Sequence, residues 1–359
     1  MKVFISAGDV SGDMHAADLV RALKNIGGVS VTALGGNKLK EVLNSAAGDV
    51  FIKDIVNVGA FGFFPWRQYF FLRKTFNYVK TLFKTDTPQK VILVDYYGFN
   101  IHIAALAKKL NIPVYYYVSP QVWASRRWRI NTIAKYVKKM LTILPFEEAL
   151  YKSYGVDAEF VGNPLIDSVP APQVKDIDLK NITIGLFPGS RASVIKRHMP
   201  ILLESAKIIC ESLNAKFVVF SDKPLNCTMP DYISIDAGGS LASRAGLDFV
   251  ICPSGTVSLE NALLGLPMAI MYKVSFINYV LAKLLIKINY IAMVNILQDK
   301  YVVPEFLQYA AKPKNIAEFV INAINSGSYK KTQSELLEFR KMLGQQGVAA
   351  RAAKIIYGG

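Results

Sequence analysis

The chain has 359 residues, 52% of them hydrophobic, with 42 lysines and arginines against 27 acidic residues. That is enough apolar material for two domain cores and too much for a disordered chain. The formal charge of +15 predicts an anionic partner, but composition alone leaves nucleic acid, an acidic membrane leaflet and phosphorylated substrates open.

Three cysteines, Cys210, Cys227 and Cys252, form no CxxC and cannot all pair, which fits a reducing cytosol. The segment MKVFISAGDVSGD reaches Asp9 too soon for a secretory signal. A membrane-spanning helix needs roughly 18–20 apolar residues. The best candidate, Phe276 to Leu297, is interrupted by Lys283 and Lys287.

In chain order, the first half shows strand candidates at Lys2–Ala7, Ser30–Leu34, Lys90–Val94, Pro113–Val118, Met140–Leu144 and Glu159–Val161. Near-continuous Val, Ile, Leu and Tyr in these runs predict parallel strands covered on both faces. The first ends in SAGDVSGD, Ser6 to Asp13, ahead of a helix over Met14–Leu23. Gly8 and Gly12 allow a tight turn, and Ser11 is a candidate helix cap. No GxGxxG fingerprint is present, so an ordinary strand-to-helix turn is the plain alternative.

FGFFPWRQYFFLRKTFNYVKTLFK, Phe61 to Lys84, reads as a helix past Pro65. Tyr69, Leu72, Phe76, Val79 and Phe83 form one stripe, flanked by Arg73, Lys80 and Lys84. Phe70 and Phe71 fall off the stripe, and Phe61, Phe63 and Phe64 add bulk before it. A stripe alone is usually core, while off-stripe aromatics beside cations favour an interfacial element on an anionic membrane surface, and both readings stay open. The strand in QKVILVDYYGFN then delivers a carboxylate, Asp95, at its end. VWASRRWRI, Val122 to Ile130, mixes bases and aromatics in a pattern able to stack nucleobases, although its position after a strand end competes with that reading.

VPAPQVKDIDLKN, Val169 to Asn181, reads as a linker. Beyond it the same pattern restarts, with strand candidates at Ile182–Phe187, Lys216–Phe220, Tyr232–Ile235, Asp248–Cys252 and Met268–Tyr272. The prediction is an α/β protein with two Rossmann-like doubly wound domains facing across a cleft, the default site for such sheets. ITIGLFPGSRAS ends a strand at Gly189 and Ser190 and starts a helix near Arg191. Free N–H groups at the helix start and the arginine fork would suit a diphosphate. CPSGTVSLENALLGLP repeats the device with Ser254, Gly255 and Thr256, followed by a helix over Val257–Leu264. Glu260, one turn in, is placed to hold the two hydroxyls of a ribose, unless it only complements the helix dipole. Two anion-ready turns in one domain point to a nucleotide diphosphate. His15, His102 and His198 have no ligand spacing, and Asp176-Ile177-Asp178 lies in the linker, so no metal site is expected. No GxSxG elbow appears.

SAGDVSGD, Asp95 with Phe99-Asn100, YVSPQVWA, LPFE (Leu144 to Glu147), GNPLID, PGSR, SGTVSLE-ALLGLPM and the late Asn295 occur in this order. Together they resemble the lipid-A-disaccharide synthase family over nearly the whole chain. The resemblance implies a GT-B fold and a metal-independent inverting transfer. UDP-2,3-diacylglucosamine would be joined to 2,3-diacylglucosamine 1-phosphate, giving the β(1→6) disaccharide 1-phosphate and UDP. It also implies a cytoplasmic enzyme peripheral to the inner membrane, with no cofactor and no nucleic acid; a homodimer is compatible with the sequence. On this resemblance Asp95 would take the role of general base, and Ser190, Arg191, Ser254, Gly255, Thr256 and Glu260 would bind UDP. Asp9, Ser11, Asn100, Gln121 and Asn295 are expected as further cleft residues. Asp9, Tyr97, Ser125 and Val194 stand where the family usually has Glu, Pro, Trp and Glu, and Met293-Val294-Asn295 replaces Leu-Pro-Asn. The expected division is residues 1–168 for the acceptor, 182–335 for UDP-sugar, and a helix over 336–359 packing back on the first domain. The rival readings are a UDP-sugar epimerase or another lipid-acceptor transferase of the same fold, and a non-catalytic RNA- or membrane-binding protein.

Overall fold

A computed structural model of the protein describes residues 1–44, 48–56, 65–172, 174–225, 227–275 and 289–359. The chain divides into two compact units, Met1–Pro164 with Leu343–Gly359, and Leu165–Met342.

The first unit alternates β1 (Lys2–Ala7), α1 (Val10–Ile26), β2 (Ser30–Gly35), α2 (Asn37–Leu43), β3 (Val50–Asp54), α3 (Pro65–Thr85), β4 (Lys90–Val94), α4 (Tyr97–Lys109) and β5 (Val114–Tyr117). It continues with α5 (Val122–Ser125), α6 (Arg129–Tyr136), β6 (Lys139–Thr142), α7 (Pro145–Ser153) and β7 (Ala158–Phe160). The strands form a parallel sheet in the order β3-β2-β1-β4-β5-β6-β7. Alternation along a strand explains the unbroken apolar runs. Val3, Ile5, Ala7, Ile92 and Val94 join one core with Leu19, Val20 and Leu23 of α1. Phe4, Val91 and Leu93 join a second core with Val79 and Phe83 of α3 and Ile103 and Ala107 of α4.

The second unit runs α8 (Leu165–Ser168), β8 (Ile182–Leu186), α9 (Ala192–Ser212), β9 (Ala215–Phe220), β10 (Ile233–Asp236), β11 (Phe249–Cys252), α10 (Thr256–Leu263) and β12 (Met268–Tyr272). It ends with α11 (Met293–Gln298), β13 (Glu305–Leu307), α12 (Pro313–Asn325) and α13 (Tyr329–Met342). Its sheet is also parallel, in the order β10-β9-β8-β11-β12-β13. The core packs Ile184, Leu186, Phe217, Val219 and Ile251 against Leu202 and Ile209 of α9 and Ile316 and Val320 of α12.

Three expectations need correction. The strands β3 and β13 were not foreseen; both are edge strands, and none of their residues is fully buried. An edge strand with half-exposed positions carries no apolar run to read. The expected helix over 336–359 is two helices. α13 belongs to the second unit, while α14 (Val348–Gly358) places Val348, Ala352, Ala353 and Ile356 against α1 in the first. Between them Gly344 and Gly347 adopt φ of 96° and 86°, and a Cβ on Gly344 would lie 3.1 Å from the Cα of Gly162. In the linker, Ile177 is buried and its N–H donates to the Tyr329 hydroxyl at 3.0 Å, so this stretch is partly packed.

On α3 the buried side is Thr75, Val79 and Phe83, with Phe71, Leu72 and Phe76 partly covered. Tyr69, expected on the stripe, is 59% exposed. Phe71, expected off it, packs on the core and receives the Lys53 ammonium 4.4 Å from its ring centroid. Phe61, Phe63 and Phe64 lie outside the described residues, as do residues 276–288 of the candidate apolar span. Among the described residues, no helix is long and apolar enough to cross a membrane.

Candidate active site

In a doubly wound sheet, the loops leaving two neighbouring strands diverge where the strand order reverses, and the opening beyond their carboxyl ends is where ligands sit. The first sheet reverses between β1 and β4, with Ala7 paired to Val94. The next residues in the two loops include Asp9 and Asp95. The structure thus brings together two carboxylates that lie far apart in sequence.

Asp95 and Tyr96 are consecutive non-glycine residues with positive φ, 41° and 47°. Such a turn is costly and persists only when its surroundings over-determine it. The Asp95 N–H donates to the carbonyl of Val118 at 3.2 Å. Its carbonyl accepts from the Tyr116 hydroxyl at 2.5 Å and from Asn100 Nδ2 at 2.9 Å. The Tyr96 ring covers Gly8 so closely that a Cβ there would lie 2.0 Å from it. Burial first, then the negative charge of Asp9, pushes the Asp95 carboxyl up to about 7, against an opposing Tyr96 backbone hydrogen bond.

Two of the expected cleft residues in this unit have partners within the protein. Asn100 is fully buried; its Oδ1 accepts from Ser6 Oγ at 2.7 Å and its Nδ2 donates to the carbonyls of Ser6, Val94 and Asp95. Ser11 does not cap α1. Asp9 does, accepting from the Gly12 N–H at 2.6 Å, while Ser11 Oγ meets His15 Nε2 at 3.1 Å. Asp13 is also structural: its buried carboxylate accepts from the N–H groups of Gly36 and Lys38 at the start of α2. Gln121 is exposed in the loop after β5.

A group that motif reading passed over lies beside that loop. Glu147 is buried and accepts from Ser119 Oγ at 2.5 Å, Trp123 Nε1 at 3.1 Å and the Leu144 N–H at 3.2 Å. Burial nonetheless pushes its carboxyl up to about 7. It fixes the two ends of the segment that presents Gln121. The LPFE motif was the available signal.

The second sheet reverses between β8 and β11. Both expected anion turns leave at this point. A Cβ on Gly189 would lie 3.1 Å from Val194 and 3.9 Å from the Pro253 ring, so the two turns adjoin. Ser190 and Arg191 are exposed, and Arg191 is the residue before the first turn of the 21-residue α9. Gly255, at φ 147°, precedes Thr256, the exposed first residue of α10. Ser254 Oγ donates to the Ile291 carbonyl at 2.6 Å. His198, on α9, is buried with its ring nitrogens 3.0 Å from the Pro188 carbonyl and 3.2 Å from that of Lys273, which anchors the first turn.

Two further expected site residues have partners within the protein. Glu260 Oε2 accepts from Arg244 Nη1 at 2.7 Å. Asn295 is fully buried and internal. Its Oδ1 accepts from the N–H groups of Val302 and Val303, and its Nδ2 donates to the Val303 carbonyl and to Glu305. Glu305 also accepts from the N–H groups of Ile291 and Ala292 ahead of α11. Asp176 pairs with Lys330 at 2.7 Å. Among the described residues no cluster of His, Cys, Asp and Glu is arranged to hold a metal ion.

A family model described as lipid-A-disaccharide synthetase matches residues 3–356. The lipid-A-disaccharide synthase of Syntrophus aciditrophicus (strain SB) is 37% identical, over 98% of this chain and 96% of that protein. Lipid-A-disaccharide synthase 1 of Legionella pneumophila (strain Philadelphia 1) is 36% identical, over 95% and 93%. Among solved structures, MurG of Acinetobacter baumannii superposes with a TM-score of 0.62 at 15% identity, covering 100% of this chain and 99% of that one. Arabidopsis thaliana UGT89C1 superposes with a TM-score of 0.66 at 10% identity, covering 99% and 98%. A co-structure of S. aureus MnaA with UDP gives 0.62 at 13% identity, covering 99% and 94%. These structural likenesses show the GT-B type of fold, two Rossmann-like units.

Proposed function

The chain belongs to the lipid-A-disaccharide synthase family, and from that membership we propose how its residues carry the reaction. It is a glycosyltransferase that forms the lipid A disaccharide, using a UDP-sugar donor and a sugar-phosphate acceptor. In our reading the donor is UDP-2,3-diacylglucosamine and the acceptor 2,3-diacylglucosamine 1-phosphate. The acceptor 6-hydroxyl attacks C1 of the donor sugar, its proton goes to Asp95, the bond from C1 to the diphosphate breaks, and UDP leaves with the electron pair.

The observation that carries this reading is the position of Asp95. It directly follows β4 at the reversal point of the first sheet, near a second carboxylate, with its carboxyl raised to about 7. A general base is most effective when its pKa lies near the working pH. The negative charge developing on the departing diphosphate meets Arg191 and the free N–H groups at the starts of α9 and α10. Glu260 accepts from the ribose.

The acyl chains of both substrates call for a lipid surface. The outer side of α3 exposes Trp66, Tyr69, Phe70 and Tyr78 alongside Arg73, Lys74, Lys80 and Lys84. Aromatic rings suit the headgroup layer, and each cation near an anionic leaflet contributes about 1 kcal/mol. The enzyme therefore binds peripherally to an anionic membrane through this helix.

The test is UDP formation from UDP-2,3-diacylglucosamine in detergent, with and without the acceptor. UDP should accumulate in proportion to acceptor and appear together with the disaccharide phosphate. Interconversion of the donor without acceptor and without UDP would mark an epimerase and overturn the reading.

A further inference from the structure

Arg244 is a buried cation that no motif announced. It lies on the short turn before β11 and is 8% exposed. Three segments hold it. Its Nη1 donates to Glu260 Oε2 at 2.7 Å and more weakly to Asn261 Oδ1 at 3.4 Å, and its Nη2 donates to the Gly239 carbonyl at 3.1 Å. Its guanidinium carbon lies 5.1 Å from the ring centroid of Phe187, which stacks on Phe220. Its Nε and the Nδ2 of Asn261 are buried without a hydrogen-bond partner among the described residues. Two orphaned donors are costly, so the pair is not optimised for stability. What the arrangement achieves is a fixed direction for one carboxylate.

We infer that Arg244 is a positioning residue for the nucleotide: it commits Oε2 of Glu260 and leaves Oε1 to accept from a single ribose hydroxyl. The inference rests on the ribose reading of Glu260. Without the arginine, a carboxylate could turn and bridge both hydroxyls of the diol with its two oxygens. With Oε2 engaged by Arg244, and the Glu260 backbone fixed in α10, Oε1 is the oxygen left to accept. The site then distinguishes the 2′- from the 3′-hydroxyl.

The experiment is calorimetric titration with UDP, 2′-deoxy-UDP and 3′-deoxy-UDP. Wild-type enzyme should lose about 10- to 100-fold in affinity for one deoxy analogue, the loss of a hydrogen bond to a charged group, and stay within about threefold for the other. Equal losses for both analogues would overturn the inference with no variant needed. In Arg244→Met the two analogues should become alike. The double variant Arg244→Met/Glu260→Met, which leaves no lone buried charge, should bind all three ligands equally. A double variant that still prefers UDP would refute the ribose reading itself. If the double variant loses the preference while Arg244→Met keeps the wild-type selectivity, the ribose reading stands and the role of Arg244 falls. Melting curves identify variants that fail to fold; for those, the wild-type comparison decides.

Discussion

A carboxyl group at the end of a buried strand is tolerated only on its neighbours' terms, and at Asp95 they make the charge expensive. Burial and the adjacent Asp9 hold the proton on until about pH 7. The same shift acts on stability with a definite sign. Because the folded state binds this proton more tightly than the unfolded chain, the group stabilises the fold fully below about pH 4. That contribution is lost as pH rises through about 7. Turnover moves the other way, since only the carboxylate can accept a proton. Wild-type turnover should thus climb with pH and level off above about 7. Over the same window, melting temperature should fall more steeply for wild type than for Asp95→Asn. Glu147, raised to about 7 as well, supplies a share of the fall common to both proteins. Turnover that is flat from pH 5 to 8, or identical melting slopes, would contradict the assignment. The residue scale is also where sequence reading failed most. Asn100 and Asn295 look like ligand contacts in a motif, but these helix residues find partners in strands, Ser6 of β1 and Glu305 of β13, and nothing in the sequence marks a fully buried asparagine. Arg244 and Glu305 stood in no quoted motif, so nothing drew attention to them.

At the scale of elements, the anion turns were legible because strand, glycine and helix start follow one another in the chain. PGSR and PSGT leave β8 and β11 as that order implies. Edge strands were not legible, since β3 and β13 lack the covered faces that produce apolar runs. The phase of α3 was half legible. Leu72, Phe76, Val79 and Phe83 face the core as the period requires, but one end turns Tyr69 outward and Phe71 inward. That phase now selects the residues that meet lipid. Replacing Trp66, Tyr69 and Phe70 with serine should move the protein from anionic vesicles to the supernatant in a flotation assay. The melting temperature should barely change, because all three rings are more than half exposed. Undiminished vesicle binding by the folded variant would remove α3 as the anchor.

At the scale of the whole molecule, the repeated strand-and-helix pattern on either side of a proline-bearing linker made two units readable from sequence. The sequence has the stretch 336–359 packing back on the first domain, but it does not mark where that stretch divides. Only tertiary packing shows that α13 stays with the second unit while α14 joins the first. This division also separates the chemistry, with Asp95 in one unit and Arg191, Thr256 and Glu260 in the other. A change confined to the base should therefore leave nucleotide binding alone. The direct measurement is turnover of Asp95→Asn at pH 8, with UDP affinity and melting temperature taken on the same preparation. Asparagine keeps the shape but takes up no proton. Turnover should drop by roughly 10²–10⁴-fold, with UDP affinity unchanged and the protein at least as stable as wild type. A folded Asp95→Asn enzyme turning over within about threefold of wild type would contradict the base assignment, since general-base catalysis supplies far more than that.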